Sequence, residues 1–161
     1  MSGFWGYGSE GHEAFHENAF NELLETVHGD ASHIDPLVMP VITHAFAYYG
    51  AVSVWSCEGH PERGDNKGYI TWIFKDAVKH MAFLAMMNQA QTWMHNIDQK
   101  AHLMFELEAN PLHHSTTEYD TMAMPSLTLR TMSFRNNRIK ARWWDELLEC
   151  ITKITQMTKG L

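Results

Sequence analysis

The chain has 161 residues, a net charge of −7, two cysteines and a 45% hydrophobic fraction that includes six Trp, eight Phe and eleven Met. These figures suit one domain, residues 1–161, with a hydrophobic core, and exclude an intrinsically disordered chain. The acidic balance argues against extended nucleic acid as a partner. No apolar run reaches bilayer length, and the N-terminus lacks the pattern of a signal peptide, so no membrane association and a cytoplasmic location are expected. Two cysteines are too few for a disulfide scaffold, which predicts free thiols.

Residues 9–28 read as a helix, with Ser9 as N-cap and an apolar stripe of Phe15, Ala19, Phe20, Leu23, Leu24 and Val27. Residues 36–49 are almost continuously apolar and read as a buried helix. Asp35 stands at its capping position and Pro36 at its first turn, while Pro40 kinks the helix or delays its start. Residues 51–57 and 69–74 form a hairpin around a loop rich in Gly, Pro, Asp and Asn. Lys75–Lys100 is a long helix. Ala101–Glu108 alternates as a strand, Ala109–Met124 reads as a polar loop, Ser126–Phe134 is a fourth strand, and Asn137–Thr158 is an amphipathic helix. The order ααββαββα predicts an α+β fold. Two hairpins, each followed by a helix, build an antiparallel four-stranded sheet, and two helices precede them.

Strict alternation divides this sheet into two faces. Val52, Val54, Ile70, Trp72, Phe74, Leu103, Phe105, Leu107, Leu127 and Leu129 form the core face. Ser53, Trp55, Cys57, Tyr69, Thr71, Ile73, His102, Met104, Glu106, Thr128 and Arg130 form the opposite face. Aromatic, thiol, hydroxyl, imidazole and guanidinium groups on one face are not an ordinary solvated surface. Either the N-terminal helices or a ligand must cover it.

The segment Trp55-Ser56-Cys57-Glu58-Gly59-His60 ends the first strand. Cys57 and His60 across a Gly turn could ligate a metal such as Zn or form a nucleophile–base pair, with His113 and His114 as further ligands if their loop folds over the hairpin. The alternative is a half-buried thiol at a strand end beside a surface imidazole. Ser-Cys-Glu-Gly-His-Pro within Trp55–Pro61, followed by Tyr69-Ile70, resembles small uncharacterised proteins encoded by bacteriophages. That resemblance implies a viral accessory protein in the host cytoplasm and no particular chemistry. Ser56, Cys57 and Gly59 alone also resemble a turn of tRNA wybutosine-synthesising proteins, and nothing is carried over from three residues.

His12-Glu13-Ala14-Phe15-His16 fits H-E-x-x-H, which sets two imidazoles on one helix face as zinc ligands with a carboxylate beside them. Only eleven residues precede it, too few for the substrate-holding sheet edge of such proteases. No third ligand follows at a protease spacing, and the two imidazoles fall on the inward stripe. Buried structural histidines are the competing account. His114-Ser115-Thr116 is a lone H-x-T triplet, and the two-histidine phosphoesterases need two. Between Thr121 and Trp144 there is no acidic residue, whereas Arg130, Arg135, Arg138, Lys140 and Arg142 all fall there. This basic segment suits phosphate, or else pairs with acidic neighbours.

The expectation is a protein that sequesters an anionic, nucleotide-like small molecule through Trp55, Cys57, His60, Tyr69, Thr71, His102, Arg130, Arg135 and Arg138. In a phage setting, removing a host signalling nucleotide would be counter-defence. A metal-dependent hydrolase built on His12, His16 and Glu13 is a second expectation. A module that inhibits a host enzyme through protein–protein contact, or one that self-associates, is a third.

Overall fold

The structure, a computed structural model, describes residues 5–29, 33–98, 104–115 and 121–160. Nine elements follow one another: α1 (Glu10–His28), α2 (Met39–Tyr49), β1 (Val52–Cys57), a 3-10 turn (Pro61–Arg63), β2 (Lys67–Ile73), α3 (Ala77–Asp98), β3 (Phe105–Ser115), β4 (Thr121–Ser133) and α4 (Asn137–Lys159). The strands make one antiparallel sheet in the order β1-β2-β4-β3. The ααββαββα architecture is therefore the α+β fold expected.

Local chemistry sets the helix ends. The Ser9 hydroxyl accepts from the His12 N–H at 3.1 Å and starts α1. The Asn136 side chain accepts from the Ile139 N–H at 2.9 Å and starts α4. α2 begins three residues later than the apolar run suggests. Val38 is its N-cap and Pro40 sits in its first turn, where a missing N–H costs nothing. Asp35 does not cap this helix, because its carboxylate is committed to the hairpin.

The core lies between the sheet and the helices α3 and α4. Trp72, Leu127 and Leu129 from the strands and Phe74, just past β2, meet Phe83 and Met87 of α3 and Trp143, Trp144, Leu147 and Ile151 of α4, all fully or almost fully buried. Trp143 packs edge-on against Trp144, Phe105 and Phe134, an arrangement that aligns ring edges with ring faces. α1 lies instead against β1, the edge strand.

Two sequence-based boundaries are corrected. β1 carries an irregularity between Ser53 and Trp55, so Val52 pairs with Ile73 and Ser53 with Trp72, while Trp55 pairs with Thr71. The extra residue puts Val52 and Ser53 out of step with strict alternation. The expected loop Ala109–Met124 is instead mostly strand, since β3 runs to Ser115 and β4 starts at Thr121. Pro111 and Pro125 stand opposite each other there. β2 pairs with β4 only from Trp72 to Lys67, so Pro125 lies where β4 has no second neighbour, and a proline is tolerated.

A close approach joins the hairpin to α4. A Cβ on Gly68 would lie 2.8 Å from the Trp144 ring and 2.9 Å from the carbonyl oxygens of both Cys57 and Glu58. Gly68→Ala should therefore destabilise the protein by about 1–3 kcal/mol, the usual cost of overpacking. Urea denaturation measures this, and an unchanged midpoint would refute the close packing.

Candidate functional site

Three side chains converge where β1 ends. Cys57 is its last residue, His60 follows the Gly59 turn, and Asp35 arrives from the segment before α2. One ligating atom from each lies within 4.8 Å of the other two, the only such set of His, Cys, Asp and Glu among the described residues. His60 Nε2 is 3.3 Å from Asp35 Oδ2, and His60 Nδ1 is 3.4 Å from Glu62 Oε1. The Gly59 N–H donates to Cys57 Sγ at 3.4 Å. Gly59 has φ +89°, a backbone conformation that favours glycine, and a Cβ there would press on Phe134 and the Gly68 nitrogen.

Glu58, between Cys57 and His60, faces the other way and anchors this corner. Its Oε1 accepts from Lys140 Nζ at 2.8 Å, and its Oε2 accepts from the Leu37 N–H at 3.1 Å. Its own N–H donates to Asp35 Oδ2 at 3.0 Å, and its carbonyl accepts from Trp144 Nε1 at 3.0 Å. Lys140 Nζ also donates to the Gly59 carbonyl at 2.9 Å. The two segments thus exchange side-chain-to-backbone bonds, Asp35 accepting from the Glu58 N–H and Glu58 from the Leu37 N–H.

The environment of Cys57 is unlike that of a nucleophilic thiol. Burial raises its pKa, and the carboxylates of Asp35, Asp65 and Glu58 raise it further, against a lowering by the Gly59 N–H. Activated thiols need electropositive surroundings that favour thiolate. The nucleophile–base reading of Cys57 and His60 loses its support on this ground.

The open sheet face begins beside this corner. Cys57 pairs with Tyr69, Tyr69 with Arg130, and Arg130 with Glu106. The next row is Trp55, Thr71, Thr128 and Glu108, with the Thr71 and Thr128 hydroxyls 2.9 Å apart. Trp55 is 52% exposed and Tyr69 39%. Both line two adjoining recesses. One, of about 600 Å³, lies between α1 and β1 and reaches Glu22, Thr26 and His33. The other, of about 510 Å³, lies over the sheet and reaches Thr71, Ser126, Thr128 and Arg130. α1 therefore covers part of this face and leaves Trp55 and Tyr69 open.

The basic segment is largely paired within the protein. Arg130 forms an ion pair with Glu108, Lys140 with Glu58 and Arg142 with Glu146. The hydrogen bonds from Asn110 and Arg130 hold the Glu108 carboxyl below its usual range. Arg135 and Arg138 are exposed at the start of α4, and neither lines the two recesses. His102 lies outside the described residues. His113 and His114 belong to β3 and pair with Ala123 and Met122, so they do not sit on a loop over the hairpin. They stand seven and eight residues beyond Glu106 along β3, or roughly 25 Å from the row that holds Cys57.

His12 and His16 are buried, as their place on the inward stripe implies. No third His, Cys, Asp or Glu converges on them among the described residues. Their neighbours are Tyr7, edge-on to His12, and His80, which hydrogen-bonds the Tyr7 hydroxyl and stacks on Phe74. The Phe74 carbonyl lies near enough to favour charged His12, yet neither His12 nitrogen has a hydrogen bond of good geometry. Burial outweighs the pull of that carbonyl and lowers the His12 pKa. Sequence reasoning missed Asp35 and Glu62 as partners of His60. Glu62, two residues after His60, was visible as a local carboxylate, whereas Asp35 carried no signal beyond its capping position.

Comparison with protein-family models, curated proteins and solved structures finds no match to this chain. The reading of the site therefore rests on its geometry.

Two outcomes follow. Lys140→Met leaves the partly buried Glu58 beside an apolar group, and breaking a buried pair costs up to about 3–5 kcal/mol. Adding Glu58→Gln should recover part of that loss in urea denaturation, and a single variant as stable as the parent would contradict the anchoring role. The second outcome concerns acid. Burial, with charge from His12, Lys75 and Lys79 against Asp76, lowers the His16 pKa to about 4, and burial lowers that of His12. Above pH 6.5 neither is charged in either state. As pH falls from 6.5 towards 4, the unfolded chain takes up protons that the folded chain refuses, so stability declines by about 3 kcal/mol for His16. Melting temperatures across this range should fall less steeply in His16→Phe than in the parent; identical slopes would refute it.

Proposed function

We propose that the protein binds and sequesters a small molecule with a planar ring and an anionic group, nucleotide-like in its chemistry, over the Trp55–Tyr69 face. The observation that carries this reading is the position of two half-exposed aromatic rings at the junction of two recesses, with Arg130 directly across from Tyr69. Stacking on such rings contributes about 1–3 kcal/mol per base and accepts any base. The paired hydroxyls of Thr71 and Thr128 belong to residues that line the sheet recess and can hydrogen-bond a sugar or phosphate.

Arg130 supplies the charge. Its pair with Glu108 is about half exposed at both ends, and such pairs contribute only about 0–1 kcal/mol. An incoming phosphate can therefore displace the Glu108 carboxylate at little cost and gain a bidentate contact. Arg135 and Arg138 lie outside the recesses, so the proposed site omits them. The phage resemblance of Trp55–Pro61 makes counter-defence the matching biological role, with a host signalling nucleotide as the ligand class.

The test is calorimetry with a panel of mono-, di- and cyclic nucleotides, together with analysis of small molecules released on denaturing the purified protein. Trp55→Ala should weaken binding roughly 5- to 150-fold, the equivalent of one lost stack. Arg130→Lys should not restore what Arg130→Ala loses, because an ammonium lacks the planar fork. Glu108→Gln should bind at least as tightly as the parent. Absence of binding across the panel and of any released ligand, or unchanged affinity in folded Trp55→Ala, would refute the proposal.

A further inference from the structure

The Asp35–Cys57–His60 corner carries an inference independent of the sheet-face ligand. We propose that it is a binding site for a divalent zinc-class cation, held by the Asp35 carboxylate, the Cys57 thiolate and His60 Nε2, with one coordination position left open. The three ligating atoms already lie within 4.8 Å of one another, although the side chains come from two segments 22 residues apart. Zinc bonds of about 2.0–2.3 Å place tetrahedral ligands roughly 3.3–3.8 Å apart, so side-chain movements of about 1 Å would close the shell.

The surroundings resemble the support that metal ligands need. His60 Nδ1 faces Glu62 Oε1 at 3.4 Å, the carboxylate–histidine arrangement that fixes the ring with its other nitrogen towards the metal. The Gly59 N–H points at Cys57 Sγ and can stabilise a bound thiolate. The Glu58 N–H holds Asp35 Oδ2, the oxygen that faces His60 Nε2, and a carboxylate oxygen that accepts one N–H keeps a second lone pair for a metal. Glu58 itself is occupied by Lys140 and Leu37, and so is not a ligand. The pairing of Glu58 with Lys140 also offsets the charge of the buried Lys140 ammonium near the site.

The donor set decides the metal class. A thiolate and an imidazole beside a carboxylate suit zinc and neighbouring transition ions, whereas calcium and magnesium prefer an all-oxygen shell. Three protein ligands with an open fourth position are the arrangement of zinc sites that bind an exchangeable water or substrate group.

The experiment uses the full chain, purified without a histidine tag and stripped of metal, titrated with Zn2+ and with Co2+. One equivalent of Zn2+ should bind, and Co2+ should give the thiolate-to-cobalt charge-transfer band. Cys57→Ser should abolish that band, while Cys150→Ser, at the buried second thiol, should keep it. His60→Gln and Asp35→Asn should each weaken Zn2+ binding by at least tenfold. Glu62→Gln should weaken it about 10- to 100-fold, as outer-shell partners do. His12→Phe should leave it unchanged. Circular dichroism of each metal-free variant checks that it is folded. If Zn2+ does not bind stoichiometrically, or if binding persists in folded Cys57→Ser and His60→Gln, the proposal fails. A cobalt band that survives Cys57→Ser would assign the metal elsewhere and overturn it equally.

Discussion

One partly buried carboxylate ties together the parts of this protein that local structure leaves separate. Glu58 accepts from Lys140 of α4 and from the backbone of Leu37, and its main chain serves Asp35 and Trp144. Burying an ion pair removes two charges from water, and the attraction between them offsets that cost only when the remaining lone pairs are also satisfied. Here both carboxylate oxygens are satisfied. The pair thus acts less as a source of stability than as a fixed point that sets where the chain before α2, the β1 end and α4 must meet.

The same fixed point separates two chemically different surfaces. On one side of the sheet, indole and phenyl rings of β2, α3 and α4 interlock without polar partners to spare. On the other side, Trp55 and Tyr69 stay half open between recesses lined with hydroxyls and charges. Aromatic rings left in water forgo the burial that stabilises most rings of their kind. They stay exposed here because β1 is an edge strand and α1 covers only part of its length. The convergent Cys57, His60 and Asp35 sit at the rim of that open face, where the Gly59 turn and the Glu58 N–H bond to Asp35 position them.

Much of the fold was legible because the signals are local. Ser9 and Asn136 cap their helices, the strand alternation from Trp55 and Tyr69 to Thr128 and Arg130 reads true, and His12 and His16 turn inward. The errors have a shared origin in pairing. The irregularity after Ser53 displaces Val52 by one residue, and no composition marks it. Pro111, Pro125 and the polar residues between them look like a loop until Pro125 is seen to lie beyond the reach of β2. Asp35 looks like a helix cap because an Asp before a Pro-containing helix is one, and only the approach of Glu58 redirects it. The arginine-rich segment showed its charge in the sequence, but not that Glu108 and Glu146 accompany Arg130 and Arg142, nor that Lys140 is buried.

The strand order β1-β2-β4-β3 also sets a timetable. β2 lies beside β4 rather than beside the strand that follows it, and Lys140 comes 82 residues after Glu58. At synthesis rates of about 5–20 residues per second, Glu58 waits roughly 4–16 s for its partner to be made. During that interval β1 and β2 can form a hairpin and α3 can cover Trp72 and Phe74, but the Glu58 carboxylate has only the Leu37 N–H to meet. Such long-range closure slows folding and exposes apolar surface in the meantime. The nascent chain therefore holds a hairpin whose Glu58 lacks its ammonium partner until α4 emerges, and the pairing with Lys140, not the closing of the hairpin, joins this corner to the last helix.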